Sequence, residues 1–134
     1  MLVQPYLFFE GRCTEAIEFY RSAIGAEVTM LAHYKDSPDP GMIPPGSEDK
    51  VMHANLRVGD SMMMLSDGQC QGQASFQGFS LSLSASSDAE AERLFSALAQ
   101  GGNVLMPLGK TFFASSFGML ADRFGVSWMV IVDK

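Results

Sequence analysis

Three polar side chains alternate along one short stretch of this sequence, "VMHANLRV" (51–58). His53, Asn55 and Arg57 occur at every second residue, so in a β-strand they lie on one face. An imidazole, an amide and a guanidinium can accept a proton, exchange hydrogen bonds and hold a carboxylate or phosphate group. This face is therefore predicted to recognise a small molecule or to carry out acid–base chemistry. The other face of the strand is apolar: Met52, Ala54, Leu56 and Val58.

Two further readings of these polar residues stay open. His53 could be a metal ligand or a hydrogen-bonded structural residue, and the other histidine, His33, comes from an earlier strand. Asp67, at the end of the next strand, could act as a base or could cap a turn. Cys13 could be a reactive thiolate at a helix N-terminus or an ordinary thiol.

Apolar residues could complete a pocket around these groups. The stretch "SMMMLS" (61–66) predicts a strand whose methionines, including Met64, face either a cavity or the core. Phe112 or Phe113, Phe117 and Trp128 could be flat pocket walls or core aromatics. The proline-rich loop 35–50 could be a lid over the cavity or only mobile.

The elements that must position these residues follow a repeated order. Alternating and β-rich segments predict strands, and two segments with helical periodicity predict helices. Thr14 and Gly25 are predicted to bound the first helix, and a Ser87–Glu90 capping box the second. The predicted strands are 2–9, 26–34, 51–58 and 61–66 in the first half, then 79–85, 103–108, 111–122 and 126–134.

The repeat predicts an α+β fold. Each half reads strand, helix, strand, strand, strand, which is a βαβββ unit. We expect a single domain, 1–134, with units at about 1–67 and 79–134 joined by a stretch rich in Gly and Gln, 68–78.

Composition excludes several partners. The net charge is −6, with nine Lys and Arg against fifteen Asp and Glu, so binding to a phosphate backbone is not expected. No apolar run approaches the roughly 18 residues that span a bilayer, and no basic leader precedes the first apolar run, so a cytoplasmic protein is expected. The two isolated cysteines have no zinc spacing.

Four segments resemble one known family. They are "PYLFFEGRCTEAIEFY" (5–20), "HANLRVGD" (53–60), "TFFASSFG" (111–118) and "DRFGVSWMV" (122–130). Together they resemble the PhnB-like branch of the vicinal oxygen chelate superfamily, which includes glyoxalase I, ring-cleaving dioxygenases and bleomycin-resistance proteins. Phe113 departs from the tryptophan of that pattern. The resemblance implies curved mixed sheets with a concave cavity, a glyoxalase/bleomycin-resistance-like fold, and a homodimer.

The resemblance also implies where a metal would bind. Metal-dependent members hold a divalent ion with His and Glu at four positions, whose counterparts here offer poor ligands. We therefore expect no metal and no cofactor. The counterparts are Gln4 or Pro5, Met64, Phe79 or Ser80, and Met129.

These observations favour a protein that binds a small, partly apolar molecule in its cavity. The alternative is a metal-independent enzyme, an isomerase, lyase or group-transferase, with His53 and Asp67 as candidate catalytic residues. The branch often carries a 3-demethylubiquinone methyltransferase label, but no strand–GxGxxG–helix unit supports that activity. The expected ligand-binding residues are His53, Asn55, Arg57, Met64, Phe113 and Trp128.

Overall fold

A computed structural model describes residues 1–39, 41 and 43–134. Pro40 and Met42, in the proline-rich loop 35–50, lie outside the described residues. The chain divides into two compact units, Met1–Ala74 (unit 1) and Ser75–Lys134 (unit 2).

Unit 1 contains a mixed four-stranded sheet with the order β1-β4-β3-β2. Strand β1 runs parallel to β4, whereas β4, β3 and β2 pair antiparallel. A short 3₁₀ turn, Tyr34–Asp36, follows β2. The elements are β1 (Tyr6–Phe8), α1 (Cys13–Ile24), β2 (Glu27–His33), β3 (Val51–Val58) and β4 (Ser61–Ser66).

Unit 2 repeats this topology with the sheet order β5-β8-β7-β6. Its first strand is again parallel to its last strand. The predicted α+β fold of two βαβββ units is therefore confirmed. The elements are β5 (Leu81–Ser84), α2 (Asp88–Ala99), β6 (Asn103–Gly109), β7 (Ala114–Ala121) and β8 (Ser127–Asp133).

Each helix packs on one face of its own sheet. In unit 1, Ala54 and Leu56 are fully buried on the helix-facing side, as the alternation of residues 51–58 predicts. Leu65 lies beside Leu7 and Ala54 in the register and is also buried. Burying a side chain of this size contributes about 1.5–3 kcal/mol.

In unit 2, α2 buries the stripe predicted from its periodicity: Ala91, Leu94, Phe95 and Leu98. Phe95 approaches β7 at Gly118, where an added Cβ would lie 2.7 Å from Phe95 Cε2. Glycine at residue 118 therefore allows the helix to pack closely on the sheet.

The start of α1 differs from its prediction, and the start of α2 differs in one hydrogen bond. Helix α1 begins at Cys13, and Arg12 rather than Thr14 occupies its N-cap without a capping side chain. Ser87 caps α2 as predicted and accepts a hydrogen bond from Glu90 N. The Glu90 carboxylate, however, accepts from Ser86 N instead of Ser87 N. The capping box is thus displaced by one residue on its carboxylate side.

Several predicted strands are longer than the observed ones. Pro5 accepts a hydrogen bond from Met64 N but has no N–H to donate to β4, and the register of β1 with β4 begins at Tyr6. The predicted strand 79–85 pairs only over Leu81–Ser84, and 111–122 only over Ala114–Ala121. None of the helices that the structure describes is long and apolar enough to cross a membrane.

Candidate functional site

The face of the unit 1 sheet that α1 does not cover brings together most of the predicted site residues. Alternation and register place polar, aromatic and methionine side chains there, all half-buried or exposed. This surface, called the open face of unit 1, is formed by Tyr6, Phe8, His53, Asn55, Arg57, Met62 and Met64.

His53 is held by a partner on each side of its ring. Its Nε2 lies 2.7 Å from Asn55 Oδ1, and its Nδ1 lies 2.8 Å from the Tyr6 hydroxyl. Because an amide oxygen only accepts, Nε2 carries the proton and donates to Asn55. In the neutral imidazole Nδ1 then accepts from Tyr6 O–H. The structure thus gives His53 two orienting partners.

Aromatic rings surround this hydrogen-bonded chain. The Tyr6 ring stacks on Phe8 with centroids 5.0 Å apart and lies 5.4 Å from the His53 ring. Burial raises the pKa of the Tyr6 phenol, despite the opposing effect of the Ser66 hydroxyl, so the phenol keeps its proton. Tyr6 is nevertheless 38% exposed and Phe8 49% exposed. A bound molecule could therefore contact both rings.

Met64 and Arg57 complete the open face. In the register Met64 lies between Tyr6 on β1 and Asn55 on β3. The guanidinium of Arg57 donates to the Glu27 carboxylate on β2. Both side chains of this pair are at least half exposed, so water screens their attraction. A ligand carboxylate would compete with Glu27 for Arg57.

Asp67 is a structural residue here and not a candidate base. Its carboxylate is fully buried and accepts three backbone hydrogen bonds, from Gly11 N, Cys13 N and Val51 N, at 2.8–2.9 Å. Although it is far from α1 in the sequence, Asp67 thereby caps the first turn of this helix and also holds the start of β3. Asp67 therefore acts as a cap, one of the two roles that the sequence leaves open, and no oxygen of its carboxylate faces solvent.

Cys13 has the character of an ordinary buried thiol, one of the two readings that the sequence leaves open. The side chain is fully buried. Burial, together with the neighbouring Asp67 carboxylate, raises the pKa of the thiol. A helix N-terminus would stabilise a thiolate, but desolvation outweighs that effect here.

In unit 2 the structure separates the two predicted aromatic ligands. Phe113 is 45% exposed and packs against Phe117 with centroids 5.1 Å apart. Trp128, by contrast, is 4% exposed on the helix-facing side of β8. Its indole N–H donates to the buried carboxylate of Asp122 at 2.9 Å. The ring of Trp128 therefore belongs to the core, which is one of the two roles that the sequence leaves open for it.

The uncovered face of the unit 2 sheet has a different chemistry from that of unit 1. Met106, Met119 and Met129 are register partners across three adjacent strands, and Ser82 ends the row. The corresponding row in unit 1 is Met30, Asn55, Met64 and Tyr6. The hydrogen-bonded chain of Tyr6, His53 and Asn55 thus lies on the sheet of unit 1.

A separate groove of about 480 Å³ lies on the helix side of unit 1. Ile17, Val28 and Leu31 line it, and His33 borders it. The backbone N–H of His33 donates to Asp36 Oδ2. His33 therefore lies apart from His53, which is on the open face.

The residues at the family's metal positions do not fit a divalent metal. Divalent cations in proteins are held mainly by carboxylate and water oxygens or, for transition metals, by imidazole, whereas the counterparts here are an amide or proline, a phenylalanine or serine, and two thioethers. Across 1–39, 41 and 43–134 no cluster of three or more His, Cys, Asp or Glu side chains could hold an ion. Both ring nitrogens of His53 are also engaged, by Tyr6 and Asn55.

Tyr6 is the candidate site residue that sequence reasoning missed. It occurs in a short apolar strand, where a tyrosine reads as an ordinary aromatic. The available signal was the pairing of the first and last strands of the unit. That pairing puts Tyr6 beside Met64, and Asn55 is the partner of Met64 on its other side.

Sequence comparison identifies close relatives of this chain. The profile of the family described as 3-demethylubiquinone-9 3-methyltransferase matches residues 2–131. The protein YjdN of Escherichia coli (strain K12) is 36% identical, over 100% of this chain and 97% of YjdN.

Solved structures agree with this assignment. Protein PA1353 from Pseudomonas aeruginosa is 46% identical with a TM-score of 0.87, covering 99% of this chain and 98% of PA1353. A PhnB protein from Bacillus cereus is 31% identical with a TM-score of 0.80, covering 98% and 99%. A glyoxalase/bleomycin resistance protein/dioxygenase family enzyme from Burkholderia phytofirmans PsJN shares the fold, with a TM-score of 0.62 at 13% identity, covering 98% and 96%. The chain therefore belongs to the 3-demethylubiquinone-9 3-methyltransferase family.

Proposed function

We propose that the open face of unit 1 binds a small, partly apolar molecule. The observation that carries the proposal is the hydrogen-bonded chain from Tyr6 through His53 to Asn55. This chain lies beside half-exposed rings rather than in the core. Binding sites for small molecules commonly combine an apolar surface with a few polar groups in fixed orientations.

The apolar part of the surface supports the same proposal. Phe8 and Tyr6 present stacked rings, and Met64 lies next to Tyr6 in the register. Methionine adapts to irregular apolar shapes and makes favourable contacts with aromatic rings. We propose a similar contact role for Phe113 in unit 2, whose ring is 45% exposed.

A screen of small aromatic molecules by protein-detected NMR tests the proposal. Phe8→Ala and His53→Ala should each lower the affinity for a bound molecule by about three- to tenfold, because each removes one contact of the open face. Val3→Ala is the control, since Val3 is an exposed apolar residue outside the open face. Binding that is unaffected by Phe8→Ala and His53→Ala would overturn the proposal.

The orientation of His53 also favours a second candidate, a metal-independent acid–base enzyme. A catalytic base needs a fixed ring, and Asn55 fixes the tautomer that leaves Nδ1 unprotonated. Tyr6 O–H would then pass its proton to Nδ1 as the phenol oxygen withdraws a proton from a substrate. If a bound molecule is turned over, Tyr6→Phe should abolish turnover while binding persists. Binding without turnover in the wild type would leave the binding function alone.

We also propose that two copies of the chain associate through the edge strands β2 and β6. Both strands are sheet edges. Exposed sheet edges with apolar side chains tend to pair with another chain. The large apolar residues on these edges are 37–58% exposed: Val28, Met30, Leu31, Val104, Leu105 and Met106.

The mass of the protein at micromolar concentration tests this association. Sedimentation equilibrium should give the dimer mass, and Leu105→Lys should shift the equilibrium toward the monomer because it places a charge on the apolar edge. Val3→Lys, at a residue that is 96% exposed, is the control. A monomeric wild type would refute the proposed dimer.

The methyltransferase activity in the family's description is not part of this proposal. Neither sheet is doubly wound, and the printed sequence has no strand–GxGxxG–helix unit that would hold a nucleoside-containing methyl donor. The cytoplasmic location expected from the sequence stays a prediction.

A further inference from the structure

The hydrogen-bonded chain from Tyr6 through His53 to Asn55 determines which hydrogen-bonding groups remain for a ligand on the open face. Asn55 uses its carbonyl oxygen to accept from His53, so its amide nitrogen is left as a donor. Tyr6 uses its hydroxyl proton to donate to His53, so its oxygen is left as an acceptor. The hydrogen-bonded chain thus leaves an acceptor at Tyr6 and a donor at Asn55 for a ligand.

The two groups are far apart. The His53 ring and two hydrogen bonds, of 2.8 Å and 2.7 Å, separate the Tyr6 oxygen from the Asn55 side-chain oxygen. Two adjacent oxygens of a ligand would therefore fail to reach both groups. A ligand that contacts both needs its own polar groups on opposite sides of a ring or of a similar spacer.

Beside the His53 ring, the strand between the two groups contributes an apolar side chain. Met64 lies between Tyr6 and Asn55 in the register, on the strand that separates them. A flat ring that bridged the two polar groups would lie over the Met64 side chain, a favourable contact for a thioether.

We infer that the ligand is a flat aromatic ring with a hydroxyl that donates to Tyr6 and, on the opposite side of the ring, a carbonyl that accepts from Asn55. This inference rests on the proposed function of the open face and names the ligand class for it. The ligand's hydroxyl is its donor because Tyr6 has only its oxygen lone pairs to offer. The ligand's carbonyl is its acceptor because Asn55 has only N–H groups to offer.

Three simple probes test the inference: 4-hydroxyacetophenone has both groups, 4-methoxyacetophenone lacks the donor, and 4-ethylphenol lacks the carbonyl. Affinities are measured by protein-detected NMR titration of the full chain. The wild type should prefer 4-hydroxyacetophenone over each of the other two by about three- to tenfold, the value of one hydrogen bond.

Variants then assign each preference to a residue. Tyr6→Phe should abolish the preference over 4-methoxyacetophenone and keep the preference over 4-ethylphenol. Asn55→Ala should abolish the preference over 4-ethylphenol. Phe8→Leu is the matched control, because it changes the apolar surface and should lower the affinities for all three probes by the same factor.

The outcomes separate the inference from the proposed function. Equal affinities for the three probes, with chemical-shift changes on the open face, would overturn the ligand class and leave the binding function standing. A preference for 4-hydroxyacetophenone that survives Tyr6→Phe would also overturn the inference. Open-face resonances that do not shift with any probe would count against both.

Discussion

Phe95 on α2 lies so close to Gly118 on β7 that a methyl group on residue 118 would be 2.7 Å from its Cε2 atom. The same methyl group would lie 2.9 Å from the Cα of Leu108. A side chain at this position thus needs both the helix and the neighbouring strand to move.

We therefore predict that Gly118→Ala lowers the free energy of unfolding by about 1–3 kcal/mol, the usual cost of overpacking. Urea denaturation measures this change. Gly109→Ala is the control, because nothing lies within 4 Å of a Cβ there. Equal unfolding midpoints for the two variants would show that the helix is not tightly packed at Gly118.

Asp67→Asn should destabilise unit 1 because one of its three backbone donors would face an amide N–H₂ group instead of a carboxylate oxygen. The expected loss is about 2–4 kcal/mol, from weaker hydrogen bonds and an unsatisfied donor. Asp60→Asn, at an exposed position, should change the unfolding midpoint little. A native-like midpoint for Asp67→Asn would contradict this role.

Asp88 should make unit 2 sensitive to acid. The hydroxyls of Ser116 and Ser115 donate to its carboxylate and lower its pKa. Because the folded pKa is depressed, the stabilisation is complete above the unfolded pKa and is lost as the pH falls through the folded value. Ser116→Ala should raise the Asp88 pKa in a carboxyl-detected NMR titration, whereas Ser82→Ala should not. An unchanged titration in Ser116→Ala would contradict the assignment.

Cys13 should resist alkylation until the protein unfolds. Its thiol is buried with a raised pKa, whereas Cys70 is half-buried. Burial raises the pKa of Cys70 as well, so its alkylation should be slow at neutral pH. Mass spectrometry after iodoacetamide treatment of Cys70→Ser should detect no label in the native protein and one label in urea. Rapid native labelling of Cys13 would refute this.

Local periodicity was enough to predict much of the fold. The alternation of residues 51–58 predicted which side chains of β3 lie under α1 and which lie on the open face. The helical stripe Ala91, Leu94, Phe95 and Leu98 is observed as predicted. These successes depend on spacing within one element, which the sequence displays directly.

The contacts that define the site join residues far apart in the chain. Tyr6 and His53 are 47 residues apart, and Asp67 is 56 residues from Gly11. Whether Trp128 is buried depends on which face of β8 packs against α2, and alternation alone does not decide between the two faces. Such contacts follow from strand pairing, so they could not be predicted from local patterns.

The buried Asp67 carboxylate has a consequence for slow motions of unit 1. The amides of Gly11, Cys13 and Val51 all donate to it, so breaking one of these bonds weakens the solvation of the same buried charge. Their hydrogens should therefore exchange with deuterated solvent at a common rate, in one cooperative opening. The beginning of α1 and the beginning of β3 would then come apart together rather than fray separately.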